Sequence, residues 1–591
     1  MRRYDAQQAG RLTGEETMPI HNIEIAELLN QYADLMEIQG ENAYRIRAYR
    51  NAAQTVAGLS RSVAEMVKAG EDLSKLPGIG SSLADHIVEI VQTGRFQKLE
   101  DQKKKTPAAL ITLLKIPGFG PKRVALVYKK LKVKSLKELE KAVREGKLKD
   151  LPGFGEKIQQ KILQHLQKAD REEKRFLLAV AEQLVEPLVV MLQETSGVEK
   201  VQVAGSYRRR KETVGDADIL VTGRKGSKVM DRFTEYEDVA EVLSRGETRS
   251  SVVLRSGLQV DLRFVPRESY GAALHYFTGS KAHNVAIRTR GVKRGLKINE
   301  YGIFKGRRRV GGEHEEEVFE AVGLPFIEPE LRENQGEIEA AEAGKLPKLV
   351  RLEDIRGDLH CHTTATDGRN SLLEMAEAAR ARGYEYLAIC DHSKRVAMAR
   401  GLDATRLAKQ IKEIAKVNAR FRNFRLLKSI EVDILEDGSL DLPDSILKEL
   451  DLVVAAVHYG TKLSRDKQTA RILKAMDNPY VTIIAHPTGR IINERDPYEI
   501  DMERVLKGAE ERGCFVELNA NPNRLDLNEV YCRMAKELGV KVAVSTDAHS
   551  VEGLNDIKYG VGQARRGGLE AADVLNTRRW PELRKLIRKR R

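Results

Sequence analysis

Apolar positions along the chain change their period twice. From Asn22 to about Leu166 they recur at the three-to-four spacing of helices, broken briefly at Pro-Gly pairs. Between about Val198 and Val265 the period shortens to that of strands, in VEKVQVAG, ADILVTG, SSVVLRSG and LQVDLRFV. From Ile355 onward seven strand candidates, RGDLH, YLAICD, LLKSIEV, LVVAAVH, VTIIAH, CFVELN and VAVSTD, alternate with helical stretches. Such alternation predicts parallel strands with crossover helices, closed into a barrel, with chemistry at the C-terminal strand ends. The first twenty residues carry no period and read as a tail. GEIEAAEAGKLPKL, from Gly336 to Leu349, reads as a linker. The last fourteen residues hold eight Lys or Arg and predict a helix with a solvated basic face.

Composition narrows the class. A chain of 591 residues needs several cores, and 41% hydrophobic content is enough to build them. There is no run of eighteen apolar residues and no apolar leader, so neither a membrane span nor secretion is expected. The cysteines Cys361, Cys390, Cys514 and Cys532 form no CxxC pair, which suits a reduced cytosol. A net charge of +14 favours a polyanion, nucleic acid first, although charge-rich thermophile proteins share this composition.

Within the helical region a short pattern occurs three times: LPGIGSSLADHI from Leu76, IPGFGPKRVALV from Ile116 and LPGFGEKIQQKI from Leu151. The glycine pairs Gly78 and Gly80, Gly118 and Gly120, and Gly153 and Gly155 permit tight turns and let backbone amides approach a ligand. Those amides open a helix, where the dipole favours an anion, so the motif suits a DNA phosphate and reads no base. One copy is equally a helix–turn–helix capped by glycine. Three copies resemble the helix-hairpin-helix of DNA repair proteins.

In GSYRRRKETVGDADILV, starting at Gly205, Asp216 and Asp218 are two apart on a strand and face the same side. Asp261, in LQVDLRF, lies on another alternating strand that can pair alongside. Three such carboxylates can hold two Mg²⁺ ions between a triphosphate and a hydroxyl nucleophile, with Gly205, Ser206 and the Arg208–Arg209 pair upstream to grip phosphates. A lone D-x-D also marks the exposed face of an edge strand. Together these residues resemble the nucleotidyltransferase superfamily, and YFTGSKAHNVAIRTR from Tyr276 with INEYGIF from Ile298 resembles the family X DNA polymerases. That likeness runs from about Asn22 to Glu333. It implies that Asp216, Asp218 and Asp261 are catalytic metal ligands. It further implies that Ser206 and Arg209 hold the triphosphate, that Gly205, Gly215 and Gly279 belong to the nucleotide site, and that Tyr276 and Phe277 pack on the sugar. Asn284 would touch the minor-groove edge of the incoming base and Arg288 the templating side. Two positions depart from the vertebrate pattern. His86 stands where a lyase needs its imine-forming lysine, so no lyase is carried over. Lys281 replaces an aspartate and adds positive charge beside the nucleotide.

The seven later strands end in candidate ligands. His360 and His362 end the first, with Asp367 in the next loop; His392 follows the second, Glu431 ends the third, His458 the fourth and His486 the fifth; Asp547 and His549 end the seventh. Imidazole and carboxylate without thiolate suit Zn²⁺, Mn²⁺ or Fe²⁺. Cys361 lies between two ligands and points to the other side, as a packed residue. Arg524, in NPNRLD, reads as a surface residue with reach to phosphate. The order HxH–D–DH–E–H–H–DxH resembles the PHP (polymerase and histidinol phosphatase) domain over about Leu352 to Gly568, which implies two to three divalent metals and phosphoester hydrolysis.

The expectation is therefore a tail at 1–20, an all-α helix-hairpin-helix DNA-end domain at 21–102, a helical domain with two further hairpins at 103–168 and an α+β nucleotidyltransferase palm at 169–265. A nucleotide-selection subdomain follows at 266–335, then a linker at 336–352, an α/β distorted (β/α)7 barrel of PHP type at 353–575 and a basic helix at 576–591. The expected function is short-gap filling on gapped or nicked duplex DNA from deoxynucleoside triphosphates, with Mg²⁺ or Mn²⁺. The second site would act as a 3′–5′ exonuclease, 3′-phosphatase or abasic-site endonuclease. A cytoplasmic, nucleoid-associated monomer is expected. A small-molecule nucleotidyltransferase fused to a phosphatase is opposed by YFTGS and the three hairpins. A DNA-end scaffold with decayed centres is opposed by the intact carboxylates and full ligand set.

Overall fold

A computed structural model describes residues 22–58, 63–76, 78–105, 110, 113, 121–148, 151, 154, 175–224 and 228–588. The tail at 1–20 and the glycines Gly118, Gly120, Gly153 and Gly155 lie outside these residues. The chain divides into two compact units, Met1–Glu173 and Lys174–Arg591. No helix among the described residues is long and apolar enough to cross a membrane.

The first unit is helical. Asn22–Gln39, Ala43–Gly58, Ser81–Thr93, Pro121–Leu131 and Leu136–Arg144 are its longer described helices. Their apolar stripes share one core that runs from Ile25 through Ile87 and Val127 to Phe154.

The second unit begins with a five-stranded sheet in the order Val198–Val203, Asp216–Gly223, Gln259–Phe264, Arg249–Leu254, Val239–Ser244. Ala217, Ile219 and Val221 enter the core shared with the helix Leu178–Gln193. Leu220 points the other way, under Tyr270, Ala273 and Leu274 of the helix Tyr270–Thr278. Strand alternation puts Asp216 and Asp218 on the Leu220 face, at the start of the strand. The edge strand Val239–Ser244 has no alternating signal to read because five of its six residues are exposed. The same holds for the antiparallel sheet of Leu296–Asn299, Gly302–Lys305 and Arg308–Gly311, whose four-residue strands are too short for a period.

The stretch expected as a linker is itself folded. It carries the helix Glu337–Glu342, whose Ile338 and Ala341 join the core of Ile287, Val318 and Phe319. Buried Glu337 accepts from His283 Nδ1 at 2.7 Å.

Beyond it lie two parallel sheets. One holds Gly357–Cys361, Tyr386–Ile389 and Arg425–Lys428; the other holds Glu431–Asp433, Val454–Ala456, Ile483–Ile484, Phe515–Asn519 and Val542–Ser545. LLKSIEV, expected as one strand, is broken at Ser429 and Ile430 and contributes a strand to each sheet. Single bridges join His392 to Glu431 and Cys361 to Ala548. The C-terminal helix Trp580–Arg588 buries Leu583 and Ile587 with Tyr386, Leu427 and Ala543.

Candidate active sites

The strands Asp216–Gly223 and Gln259–Phe264 pair in parallel with Asp218 opposite Asp261. Asp216 and Asp218 share a face by alternation, so three carboxylates converge. Burial first, then the charges of Asp216 and Asp261, holds the Asp218 carboxyl up at about 6. Arg249 Nη2 lies 3.2 Å from Asp261 Oδ2, and Arg263 Nη2 lies 4.0 Å from the same oxygen. Like charges held this close on rigid strands fit divalent cations between them. Gly205, at φ +63°, opens the short GSYR helix, and a Cβ there would stand 3.3 Å from Asp218 Oδ2. Only glycine combines that backbone with that approach.

A cavity of about 570 Å³ opens beside these strands. It is lined by Gly205, Ser206, Arg209, Gly215, Asp216, Asp218, Tyr276, Phe277, Gly279, Lys281, Asn284 and Arg288. Asp261 is not in its wall; it flanks Asp218 from the neighbouring strand. Arg175 and Lys211 also line the cavity; Arg175 lies outside every motif, and Lys211 lies within GSYRRRKETVGDADILV, where nothing local sets it apart from its basic neighbours. Asn284 donates Nδ2 to the Tyr276 carbonyl at 2.6 Å, and its buried Oδ1 has no protein partner. The rings of Tyr276 and Phe277 meet edge to face at 5.0 Å, with the Arg263 guanidinium 4.3 Å from the Phe277 centroid. Arginine, lysine and small residues around an open acceptor and an aromatic pair suit a nucleoside triphosphate.

The second site gathers all nine expected ligands. Three groups have ligand atoms within 4.8 Å: His362, Asp367, His392 and His549; His360, His362 and Asp547; and His392, Glu431 and His458. His486 joins them through Nε2, 2.9 Å from Glu431 Oε1. His392 Nδ1 and Glu431 Oε2 lie 2.7 Å apart without hydrogen-bond alignment, and buried His362 Nδ1 makes no hydrogen bond, with Asp367 Oδ1 3.8 Å away. Buried polar atoms this close and unaligned fit cations between them. Burial, which alone would lower His392, is outweighed by Glu431 and Asp367, and its imidazole stands at about 10. His458 is raised in the same way to about 9. Burial opposes ionisation of Glu431 and Asp547, but the surrounding imidazoles hold both well below the usual carboxylate range. His486 at φ +27° and Asp547 at φ +54° hold left-handed backbone that non-glycine residues rarely adopt, and both are expected ligand positions.

The supporting residues were not foreseen. Glu517 Oε1 accepts from His360 Nδ1 at 2.7 Å, and its Oε2 accepts from the His486 amide at 2.8 Å. Asn519 donates to Asp547 Oδ2 at 3.1 Å. These two end CFVELN, the one strand without an expected ligand, at the same i, i+2 spacing as HxH. Asp433 Oδ1 accepts from His458 Nδ1 at 3.1 Å, and such contacts fix ring tautomers. Cys361 is buried in the apolar core, as expected.

Comparison with known proteins bears on the regions that carry these residues. A DNA polymerase beta palm model matches residues 178–271 and a DNA polymerase beta thumb model residues 273–333. A helix-hairpin-helix domain matches 20–96 and a SAM-like helix-hairpin-helix tandem 110–168. The chain is 39% identical over 577 residues to the DNA polymerase/3′-5′ exonuclease PolX of Bacillus subtilis (strain 168), covering 96% of this chain and 100% of that protein. It belongs to the family X DNA polymerases. A probable phosphatase of Thermoanaerobacter sp. (strain X514) is 32% identical over 231 residues, 37% of this chain and 89% of its own length. DNA polymerase lambda of Arabidopsis thaliana is 28% identical over 301 residues, 45% of this chain and 54% of its own. This family X polymerase is accordingly an enzyme with a nucleotidyltransferase region and, C-terminal to it, a phosphoesterase region.

In the N-terminal unit of this family X polymerase, Gly78 stands at φ +74° and Gly80 caps the helix Ser81–Thr93 in extended conformation. Both are exposed; nothing lies within 4 Å of a Cβ built at Gly80, whereas one built at Gly78 would stand 3.6 Å from Asn51 Cβ. His86 is a core group: its Nδ1 lies 3.1 Å from the Tyr49 hydroxyl, and it packs on Phe96. Lys68 and Lys75 are exposed.

Proposed function

We propose that the chain fills short gaps in duplex DNA by nucleotidyl transfer to a primer 3′-OH. The observation that carries this reading is Asp216 and Asp218 on one strand face with Asp261 opposite, beside a cavity walled by Arg175, Arg209, Lys211 and Lys281. Asp216, Asp218 and Asp261 would hold Mg²⁺ or Mn²⁺, which when bound lowers the barrier to ionising the 3′-OH and offsets charge on the leaving pyrophosphate. Arg209, Ser206 and Lys281 bind the triphosphate. Tyr276 and Phe277 wall the sugar, Asn284 meets the base edge, and Arg288, exposed one helical turn further on, reaches the template side. The glycine pairs Gly78 and Gly80, and by the repeat of their pattern Gly118, Gly120, Gly153 and Gly155, grip backbone phosphates of gapped or nicked DNA.

The phosphoesterase region processes 3′ ends, as a 3′–5′ exonuclease, 3′-phosphatase or abasic-site endonuclease. Its two parallel sheets form one distorted seven-stranded barrel of PHP type, a reading supported by the bridges from His392 to Glu431 and Cys361 to Ala548. His360, His362, Asp367, His392, Glu431, His458, His486, Asp547 and His549 would hold two or three Mn²⁺, Zn²⁺ or Fe²⁺ ions, which when bound activate water and polarise the phosphoester. Glu517, Asn519 and Asp433 keep the ligands in register. A primer on a gapped duplex, with and without nucleotides in Mg²⁺ or Mn²⁺, tests both sites. Extension with nucleotides and shortening without them are expected, and a primer unchanged in both rejects the reading.

A further inference from the structure

Three consecutive arginines follow the GSY turn, and each is held from a different direction. Arg208 donates Nη1 and Nη2 to Glu315, each at 2.7 Å. Arg210 pairs with Glu182 at 3.3 Å. Arg209, in the cavity wall, donates Nη1 to the Thr278 carbonyl at 2.6 Å and Nε to Glu333 at 3.0 Å.

Glu333 does not hold Arg209 alone. Arg566 Nη1 reaches Glu333 at 3.1 Å, and the same nitrogen donates to the main-chain carbonyl of Arg209 at 2.8 Å, 357 residues away along the chain. Arg566 Nη2 donates to Glu529 at 3.0 Å. Its side chain is only 3% exposed, and it ends the helix Ile557–Arg566 of the phosphoesterase region. That helix is pressed onto the palm turn: a Cβ at Gly562 would stand 3.4 Å from Arg210 Cβ. It is equally pressed onto its own sheet, where a Cβ at Gly560 would stand 2.6 Å from Ala520 Cβ and 2.7 Å from Val544 Cγ1. The helix is therefore fixed on both sides.

Arg209 and Arg566 carry two positive charges and Glu333 and Glu529 two negative, so the cluster is neutral as a whole. Its effect is geometric: the carbonyl and the side chain of Arg209 are both tied down. We infer that Arg566, a residue of the phosphoesterase region, is a positioning residue for polymerisation, holding Arg209 in place for the triphosphate of the incoming nucleotide. The inference rests on the reading of the palm cavity as the nucleotide site.

The test is single-nucleotide gap filling by the full chain carrying Arg566→Met, Arg566→Lys, Arg209→Met, or Arg209→Met with Arg566→Met. Arg566→Met is expected to raise the nucleotide KM at least about fivefold, the lower end of measured site-to-site couplings. The kcat at saturating nucleotide stays within about twofold, as for loss of a uniform binding interaction. Arg566→Lys, which keeps the charge but cannot bridge two carboxylates and a carbonyl at once, recovers part of the loss. Adding Arg566→Met to Arg209→Met changes nothing further. The 3′-shortening rate is unchanged, because Arg566 touches no residue of the second cluster. A wild-type KM in Arg566→Met, or an equal further rise in the Arg209→Met background, overturns the inference. Should Arg566→Met fail to fold, Arg566→Lys decides, and a wild-type KM in that variant overturns the inference. Arg209→Met with a wild-type KM is a different failure, and rejects the cavity as the triphosphate site instead.

Discussion

Asp218 sits where burial and two neighbouring carboxylates oppose its ionisation, and this governs what its substitution and its titration should do. Asp218→Ala is expected to slow primer extension by at least about a hundredfold, the cost of losing one group that stabilises transition-state charge, while 3′ shortening persists. Near-wild-type extension by this variant would remove Asp218 from the centre. The Asp218 carboxyl is raised to about 6, so it is protonated below that pH and ionised above it. Mg²⁺ binds only the ionised form. The apparent Mg²⁺ affinity of the palm should therefore rise roughly tenfold per pH unit below about 6 and level off above 7. Extension titrated with Mg²⁺ at pH 5, 6 and 7 reads this directly, and a flat response contradicts it. In the second cluster, His360→Ala with His362→Ala should eliminate 3′ processing and lower bound metal, with polymerisation retained. Metal analysis of the purified variant is the check, and an unchanged metal content would refute the cluster.

At the scale of elements, each site is set by where strands end and what covers them. The helix Tyr270–Thr278 covers Leu220 and leaves Asp216 and Asp218 of the same strand face beside the cavity. Strand ends and the loops after them gather the nine later candidate ligands. The hairpin helix Ser81–Thr93 shows the opposite use of an element. Its His86 is buried against Tyr49 and Phe96, which leaves the exposed Gly78–Gly80 turn as the part available to a DNA end. Borohydride should therefore trap no adduct on a 5′-deoxyribose-phosphate end, since an imine needs an amine and imidazole offers none. Peptide mapping of any adduct decides it, and a modified lysine between Asn22 and Gln102 would restore the lyase.

At the scale of the molecule, palm and phosphoesterase regions belong to one compact unit, Lys174–Arg591. Leu525 and Tyr559 of the later region enter the palm core. Glu182 accepts from the Tyr559 hydroxyl at 2.6 Å and pairs with Lys558 and Arg210. Burial, which would raise the Glu182 carboxyl, is outweighed by Lys558, Tyr559 and Arg210, and the group is held low. Glu182→Ala leaves a buried hydroxyl unpaired and two cations without their carboxylate, at a cost of about 1–3 kcal/mol. Heat should then inactivate extension and 3′ shortening together, and at a lower temperature than in the wild type. Loss of extension alone would show that the palm unfolds separately.

The sequence by itself determined the element types of the palm and of the later strands, the three converging carboxylates and the nine histidines and carboxylates that cluster. These were legible because period-2 alternation fixes which side chains share a face, and because motifs of two to four residues keep their chemistry wherever they are placed. It did not show the short exposed strands, where alternation needs a buried face to be visible. Nor did it show the break in LLKSIEV, or that Gly336–Leu349 would pack Ile338 and Ala341 into a core. Glu517, Arg175 and Arg566 carried no signal because their roles depend on partners far away in the chain. Arg566 in particular is one arginine of a basic helix until folding sets it against Glu333, Glu529 and the carbonyl of Arg209. Local pattern specifies a residue's neighbours on its own element, whereas contacts between elements arise only when the cores close, and the tertiary structure alone decided those.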